Sequence, residues 1–167
     1  KLPVTFYKNV KQLPDFKDYS MKGRTYRYMT EDPLFCFGYG LSYTTFNIGQ
    51  ATASKNELSL ADANDKITLS IPVANTGKRE GTEVVQVYVK RTADNEGPKK
   101  SLRGYARVTV KAGAQANAEI TLDAESFESF DDKSNTMKAL PGQYEVFYGN
   151  SSADKDLKCI EVEVIDN

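Results

Sequence analysis

From about Phe46 onward, apolar side chains recur at every second position, and only an extended strand with one face buried repeats with that period. Ile67, Leu69, Ile71 and Val73 alternate with Thr68, Ser70 and Pro72. From Thr82 to Arg91, Val85, Val87 and Val89 form one face and Val84, Gln86 and Tyr88 the other. Shorter runs follow at Ala106-Val108-Val110, Ala118-Ile120-Leu122, Tyr144-Val146-Tyr148 and Ile160-Val162-Val164. Turn signals at Lys111-Ala112-Gly113, Leu140-Pro141-Gly142 and Gly149-Asn150-Ser151-Ser152 separate several of them. Asn75-Thr76-Gly77-Lys78 reads as a further turn, with Gly77 free to take positive φ. Pro72 requires an edge, a bulge or a place where its missing N–H is not needed. A first strand near Asn47 to Ala53 brings the total to about seven, and helical periodicity does not outlast one turn near Asp123 to Ser126.

About seven short strands over roughly 120 residues is the size and spacing of an all-β fold, an immunoglobulin-like or fibronectin type III-like antiparallel β-sandwich. The chain has no Trp, so the tryptophan that packs on the disulfide of antibody domains is missing and the fibronectin-like form is expected. The sandwich takes residues 48–167, preceded by an irregular linker over 1–47. That front piece holds 11 of the 18 Phe and Tyr residues and carries a local charge of +3 in a chain of net −1. Pro3, Pro14, Pro33, Gly23, Gly38 and Gly40 interrupt it, which leaves room only for short extended runs such as Leu2 to Tyr7 and Thr25 to Met29. Forty-seven residues so punctuated close no core alone, yet the rings are too many to leave in water. Phe37, Leu41, Tyr43 and Phe46 are therefore expected to be buried on the flank of the sandwich, with 1–30 extended and poor in contacts to it. The chain opens on Lys1, so it is expected to be part of something longer.

Composition removes several kinds of chemistry. Histidine is absent, which excludes Ser-His-Asp and Cys-His nucleophiles and the commonest transition-metal ligand. Cys36 and Cys159 fit neither a redox pair nor a zinc cluster and are expected to be unbonded. No metal site and no cofactor is expected. The near-neutral charge gives no field for nucleic acid, and no apolar run approaches the ~20 residues of a membrane span. Carboxylates cluster at Asp131-Asp132 with Glu125 and Glu128, but in polar text that reads as an exposed loop rather than a glycosidase pair. Asp94-Asn95-Glu96-Gly97 lacks the spacing of a calcium loop and reads as a hairpin tip. Lys99-Lys100 with Arg103 and Arg107 reads as a solvated strand edge, and Asn150-Ser151-Ser152 is a glycosylation tripeptide too common to weigh alone. Two uses remain open for Arg24, Tyr26, Arg27, Tyr28 and Tyr39: stacking faces and charged donors for a sugar, or packing between domains.

The stretch from Pro33 to Phe46, Pro-Leu-Phe-Cys-Phe-Gly-Tyr-Gly-Leu-Ser-Tyr-Thr-Thr-Phe, closely resembles the PLFPFGYGLSYTTF signature of glycoside hydrolase family 3, the β-glucosidase and β-xylosidase family. Cys36 stands where that family usually has proline. Leu2 to Tyr7 looks like the last strand of the family's α/β sandwich domain, and Tyr19 to Tyr28 like the linker that precedes the signature. Residues 73–89 resemble the NTGxxxGxEVVQ(V/L)Y pattern of its C-terminal fibronectin type III-like domain. Leu102-Arg103-Gly104-Tyr105 and Pro141-Gly142-Gln143-Tyr144-Glu145-Val146 are similar to further landmarks.

The resemblance implies that residues 1–47 are a remnant of the upstream α/β sandwich domain and interdomain linker, with Phe35, Phe37, Gly38, Gly40, Leu41, Tyr43 and Phe46 packing between domains. It implies a retaining exo-β-glycosidase as the parent, with the nucleophile and acid/base carboxylates in upstream domains, so no catalytic residue falls on this chain. The implied partners are those catalytic domains, with oligosaccharide reached only through them, and the implied location is periplasmic or secreted. An independent carbohydrate-binding module and a free-standing immunoglobulin-like adhesion domain are the alternatives.

Overall fold

The computed structural model describes all 167 residues. One helical turn, α1 (Thr25–Tyr28), precedes eleven strands: β1 (Phe46–Ile48), β2 (Thr52–Ala53), β3 (Glu57–Ser59), β4 (Ile67–Asn75), β5 (Gly81–Arg91), β6 (Ser101–Val110), β7 (Gln115–Leu122), β8 (Glu128–Asp131), β9 (Thr136–Ala139), β10 (Gly142–Gly149) and β11 (Leu157–Ile165). In the first sheet β4 lies between β7 on one side and β1 followed by β2 on the other. The second runs β3-β11-β10-β5-β6. All pairings are antiparallel except β3 with β11. With β1 and β2 counted as one broken edge strand and the three-residue β3 left aside, seven strands build the expected sandwich. A separate hairpin, β8 with β9, fills the connection from β7 to β10.

The period-two pattern becomes burial directly. Ile67, Leu69, Ile71 and Val73 are fully buried and join Val85, Val87, Val146 and Val162 from the second sheet in one cluster of 21 buried residues. Each such side chain stabilises the fold by roughly 1.5–3 kcal/mol. Two tyrosines supply polar ties. The Tyr148 hydroxyl accepts the Ala51 N–H at 2.9 Å, joining β10 to the edge of the facing sheet. At the entry to β10, the Tyr144 hydroxyl donates to the Leu140 carbonyl at 2.7 Å and accepts the Leu140 N–H at 3.3 Å. This is the tyrosine corner of immunoglobulin-like sandwiches.

Several local expectations change. Pro72 sits in a central strand, opposite the break between β1 and β2, where its carbonyl accepts the Gly49 N–H at 2.7 Å. Its missing donor falls on that same interrupted side, so no ladder bond is lost. Gly77 is not among the glycines with positive φ; a Cβ there would collide with the Thr44 hydroxyl, so space selects it. Asn75 organises the turn, accepting from Thr44 Oγ1 at 2.7 Å and Gly77 N at 3.0 Å while donating to the Arg79 and Val110 carbonyls. The run from Thr25 to Met29, expected to be extended, contains α1. Hydroxyls of Tyr7 and Thr5 accept the Thr25 and Tyr26 N–H groups at 2.9 and 3.0 Å, holding Thr25 at φ 53°. The carboxylate stretch is a hairpin and not a loop: Asp131 closes it by accepting from Ser134 N, Ser134 Oγ and Lys133 N. The hairpin-tip reading of 94–97 is borne out, since Asp94 Oδ1 accepts the Gly97 N–H at 2.7 Å.

Candidate functional site

The feature that sets this sandwich apart lies on the outer face of β5. Alternation points Gln86 and Tyr88 away from the core, yet they are only 3% and 0% exposed. The front segment covers them. Residues 2–6 run antiparallel to 34–39, with Leu2 N–H donating to the Tyr39 carbonyl, Gly38 N–H to Leu2 and Phe6 N–H to Phe35, all at 2.8–2.9 Å. This two-stranded flap carries Phe37 and Gly38 onto β5. The Tyr26 ring of α1 stacks on Phe37 at 4.6 Å and 21° and meets Tyr88 edge-on at 5.7 Å.

Polar groups beneath the flap are closely matched. Tyr88 donates its hydroxyl proton to Gln86 Oε1 at 2.5 Å, and Gln86 Nε2 donates to the Gly38 carbonyl at 3.1 Å and the Asn150 carbonyl at 2.9 Å. Gly38 has φ +76°, and a Cβ on it would overlap the Gln86 amide. Both backbone conformation and close approach therefore require glycine. Ser152 N–H donates to the Phe37 carbonyl, Lys99 N–H to Arg27, and Leu102 N–H to the Tyr26 hydroxyl at 3.0 Å. Lys1 spans Glu83 at 2.8 Å and the Asn150 carbonyl at 3.0 Å. Burial first, with Tyr26 and Cys36 beside it, pushes the Tyr88 phenol far above its ordinary value. The group is neutral at any physiological pH.

The five residues with two open uses are not brought together. Tyr26 and Tyr39 line one cleft of about 720 Å³. Each has a ring face taken, Tyr26 by Phe37 and Tyr39 by Phe35 at 5.2 Å. Arg27 and Tyr28 line a different cleft. Arg24 lies in neither and donates to the carbonyls of Ser20 and Asp18 at 3.1 and 2.6 Å, which fixes the loop before α1.

The packing set also divides. Gly38 is buried, Phe37, Gly40 and Phe46 are half-buried, and Phe46 packs against the core. Phe35 is partly exposed and meets Phe6 edge-on at 6.3 Å. Leu41 and Tyr43, expected to be buried, are 89% and 97% exposed. The flap is tied down through Tyr39, and Thr44 and Thr45 are bonded to the turn at Asn75 and Thr76, so the stretch 41–43 between these anchors stands clear of the sandwich. The expectation that 1–30 touches its domain little fails at Lys1, which pairs with Glu83, and at 24–29, where α1 docks on β5 and β6.

The basic run separates too. Lys99 and Arg107 are exposed, but Lys100 is buried, paired with Asp154 and placed over the Phe147 ring at 5.7 Å. Ser151 and Ser152 are buried beneath the flap, so the tripeptide at Asn150 is not an open acceptor loop. Cys36 and Cys159 are both free, as expected. Asp131 accepts Ser134 hydrogen bonds that hold its carboxyl below the usual range, the opposite of what an acid catalyst requires. Sequence reasoning missed Gln86 and Tyr88. The available signal was that β5 is apolar or aromatic on both faces, at Val84 and Tyr88 as well as at Val85, Val87 and Val89.

Residues 83–152 match the fibronectin type III-like domain family. Over 162 residues the chain is 52% identical to a xylan 1,4-β-xylosidase of Xylanibacter ruminicola, a match that takes in 97% of this chain and 18% of that protein. It is 37% identical to a periplasmic β-glucosidase of Salmonella typhimurium over 92% of this chain and 21% of the other. A solved β-glucosidase structure from Erythrobacter marinus superposes with a TM-score of 0.76 at 30% identity, over 96% of this chain and 21% of that one. The chain thus spans about a fifth of the length of each. It matches over nearly its whole length the C-terminal region of family 3 glycoside hydrolases, the β-glucosidases and β-xylosidases, and its sandwich is their fibronectin type III-like domain.

Proposed function

We propose that the chain is the non-catalytic accessory region of a retaining exo-β-glycosidase, a β-xylosidase or β-glucosidase acting on plant-type oligosaccharides, and that it stabilises the catalytic domains. The observation that carries this reading is the uneven exposure of one short segment. Gly38 is locked onto Gln86, while Leu41 and Tyr43, three and five residues on, present their side chains to solvent. Phe16 and Tyr19 do the same on the loop before α1. A patch of this kind on an anchored segment suits a second protein surface. Here the partner is the upstream part of the same polypeptide, with residues 1–47 as the end of its α/β domain and the linker. Arg24, Tyr26, Arg27, Tyr28 and Tyr39 then act in packing, and substrate is met only by the catalytic domains. The parent is proposed to be exported, in keeping with the periplasmic relative.

The test compares the full-length polypeptide with a version cut before Lys1, and both with the 167-residue chain. Truncation should lower the melting temperature of the remainder and its hydrolysis of p-nitrophenyl β-xyloside or β-glucoside. The 167-residue chain should hydrolyse neither. Hydrolysis by that chain, or a truncated enzyme as stable and active as the whole, overturns the reading; tight binding of xylo-oligosaccharides by the chain alone favours a carbohydrate-binding module instead.

A further inference from the structure

Every ion pair in the molecule uses a lysine. Three arginines, Arg27 of α1, Arg91 at the end of β5 and Arg103 of β6, line a single cleft of about 480 Å³, and none of them has a carboxylate within 4.0 Å. The Nε atom of each is buried with no hydrogen-bond partner, and no other residue of the chain has such an atom. A guanidinium carries five N–H donors. Each of these uses a single nitrogen on the protein: Arg27 Nη2 on Ser101 Oγ at 3.1 Å, Arg91 Nη2 on the Pro141 carbonyl at 3.1 Å, and Arg103 Nη2 on the Glu128 carbonyl. Burial, and then the charge of Arg27, both act to lower the pKa of Arg103.

Like charges lining one cleft with unused donors cost stability unless something answers them, and an unsatisfied buried donor in a folded protein calls for a partner such as a water or an ion. Carboxylates do lie around the cleft, at Asp94, Glu96, Glu128 and Asp132. Asp94 spends an oxygen on the Glu96 and Gly97 N–H groups, and Glu128 offers Arg103 its backbone carbonyl. None of the four comes within 4.0 Å of a guanidinium; the Glu128 charge acts on Arg103 from farther off, against burial and Arg27. Tyr28, beneath the Arg27 guanidinium at 5.9 Å, and Phe130, partly exposed on β8, add flat apolar surface to the rim. The volume lies within the range of small-molecule sites. We propose that this cleft binds an oxyanion presented by a small ligand, a carboxylate or a phosphate, held by the forked donors of Arg27, Arg91 and Arg103. The cleft lies apart from the Gly38–Gln86 contact, although Arg27 and Tyr28 belong to α1, which docks beneath the flap, and it takes its ligand in addition to the packing proposed for those two residues.

The test follows the arginine Nε–H resonances of the 167-residue chain during titration with sodium glucuronate, with inorganic phosphate and with glucose as the neutral control. Saturable shifts of the Arg27, Arg91 and Arg103 signals with glucuronate or phosphate are expected, and glucose should leave them in place. Stronger binding of glucuronate assigns the site to acidic sugars; stronger binding of phosphate assigns it to phosphorylated ligands or the free ion. Arg91→Gln removes one fork at a strand end and should weaken binding about tenfold or more, the loss expected for a charge-assisted pair. Arg91→Lys should recover part of it. The proposal is overturned if neither anion shifts the signals, if glucose shifts them equally, or if the folded Arg91→Gln protein binds as wild type does. The wild-type titration decides the matter even if that variant fails to fold.

Discussion

Residues 46–165 and residues 1–45 solve the same problem of apolar surface in different ways. The sandwich supplies every member of the 21-residue core, whereas the front segment contributes Met29 as its one buried large hydrophobic residue. Eleven of the 14 exposed large hydrophobic side chains, from Val4 to Tyr43, belong to the front segment. The sandwich is held by area removed from water, and the front segment by a few directional contacts: the Gln86 amide, the Tyr26 ring and the Lys1 ammonium. Loss of one methyl group from the core spreads through many packed neighbours. A change of one atom at Gly38 or Gln86 should loosen the flap while leaving the sandwich its own core.

The comparison is sharpened by breaking each part separately. Leu69→Ala, in the centre of β4, should cost about 2–5 kcal/mol by urea unfolding and loosen both parts at once, because the flap has no surface to sit on without β5. Gly38→Ala should cost the flap contacts about 1–3 kcal/mol, through strain at positive φ and overlap with Gln86. Hydrogen exchange should then quicken at the Leu2, Phe6 and Gly38 amides and stay slow in β4 and β10. Equal loss of protection in both regions would show that they are one cooperative unit and remove the contrast.

Alkaline titration reads the interface itself. Tyr88 has its folded pKa raised above the ordinary 10.0, so its contribution is complete below pH 10 and is lost as pH rises above it, where the unfolded chain ionises and the folded one does not. Tyr144 is raised by burial and acts with the same sign, while Cys36 and Cys159, also raised by burial, begin the decline nearer their ordinary 9.0. Stability measured by urea unfolding should therefore fall from about pH 9 and more steeply above about pH 10. Tyr88→Phe should reduce the slope above pH 10 by about 1.4 kcal/mol per pH unit, the value for one proton. An unchanged slope would mean that Tyr88 is open to solvent and that the flap does not cover β5.

Within the sandwich, Tyr144→Phe should cost about 0.5–1.5 kcal/mol by removing the corner bond to Leu140, and the flap amides should keep their exchange rates. The smallest effect is expected at the exposed tip. Tyr43→Ser should change the stability of the 167-residue chain by no more than about 0.5 kcal/mol. In the full-length polypeptide the same substitution should lower the melting temperature, and that difference measures what the tip contributes against an upstream surface.

The sandwich was legible because its signal is local. A strand buried on one face must repeat every two residues, so Ile67 to Val73 and Tyr144 to Tyr148 declared themselves, and the turns at 75–78 and 140–142 marked where they stop. The resemblance at Pro33 to Phe46 likewise pointed to the family correctly. Side-chain direction in that segment was another matter. Leu41 and Phe37 look alike as text, and only the anchoring of Gly38 on Gln86 sends one toward β5 and the other into solvent. Thr25 to Met29 reads as strand because Thr and Tyr favour strands, and hydroxyls some twenty residues earlier, on Tyr7 and Thr5, bend it into a turn. Gln86 and Tyr88 read as surface until a distant segment lies over them. The three arginines, at positions 27, 91 and 103, share a cleft that no spacing announces. The sequence by itself determined where the long core strands lie and which face of each meets the core, since that choice depends on neighbours two positions away. The tertiary structure alone decided what covers the second face of β5 and which polar groups meet there, because the contacts that bring the front segment onto the sandwich join residues 48 to 149 positions apart and leave no period in the chain.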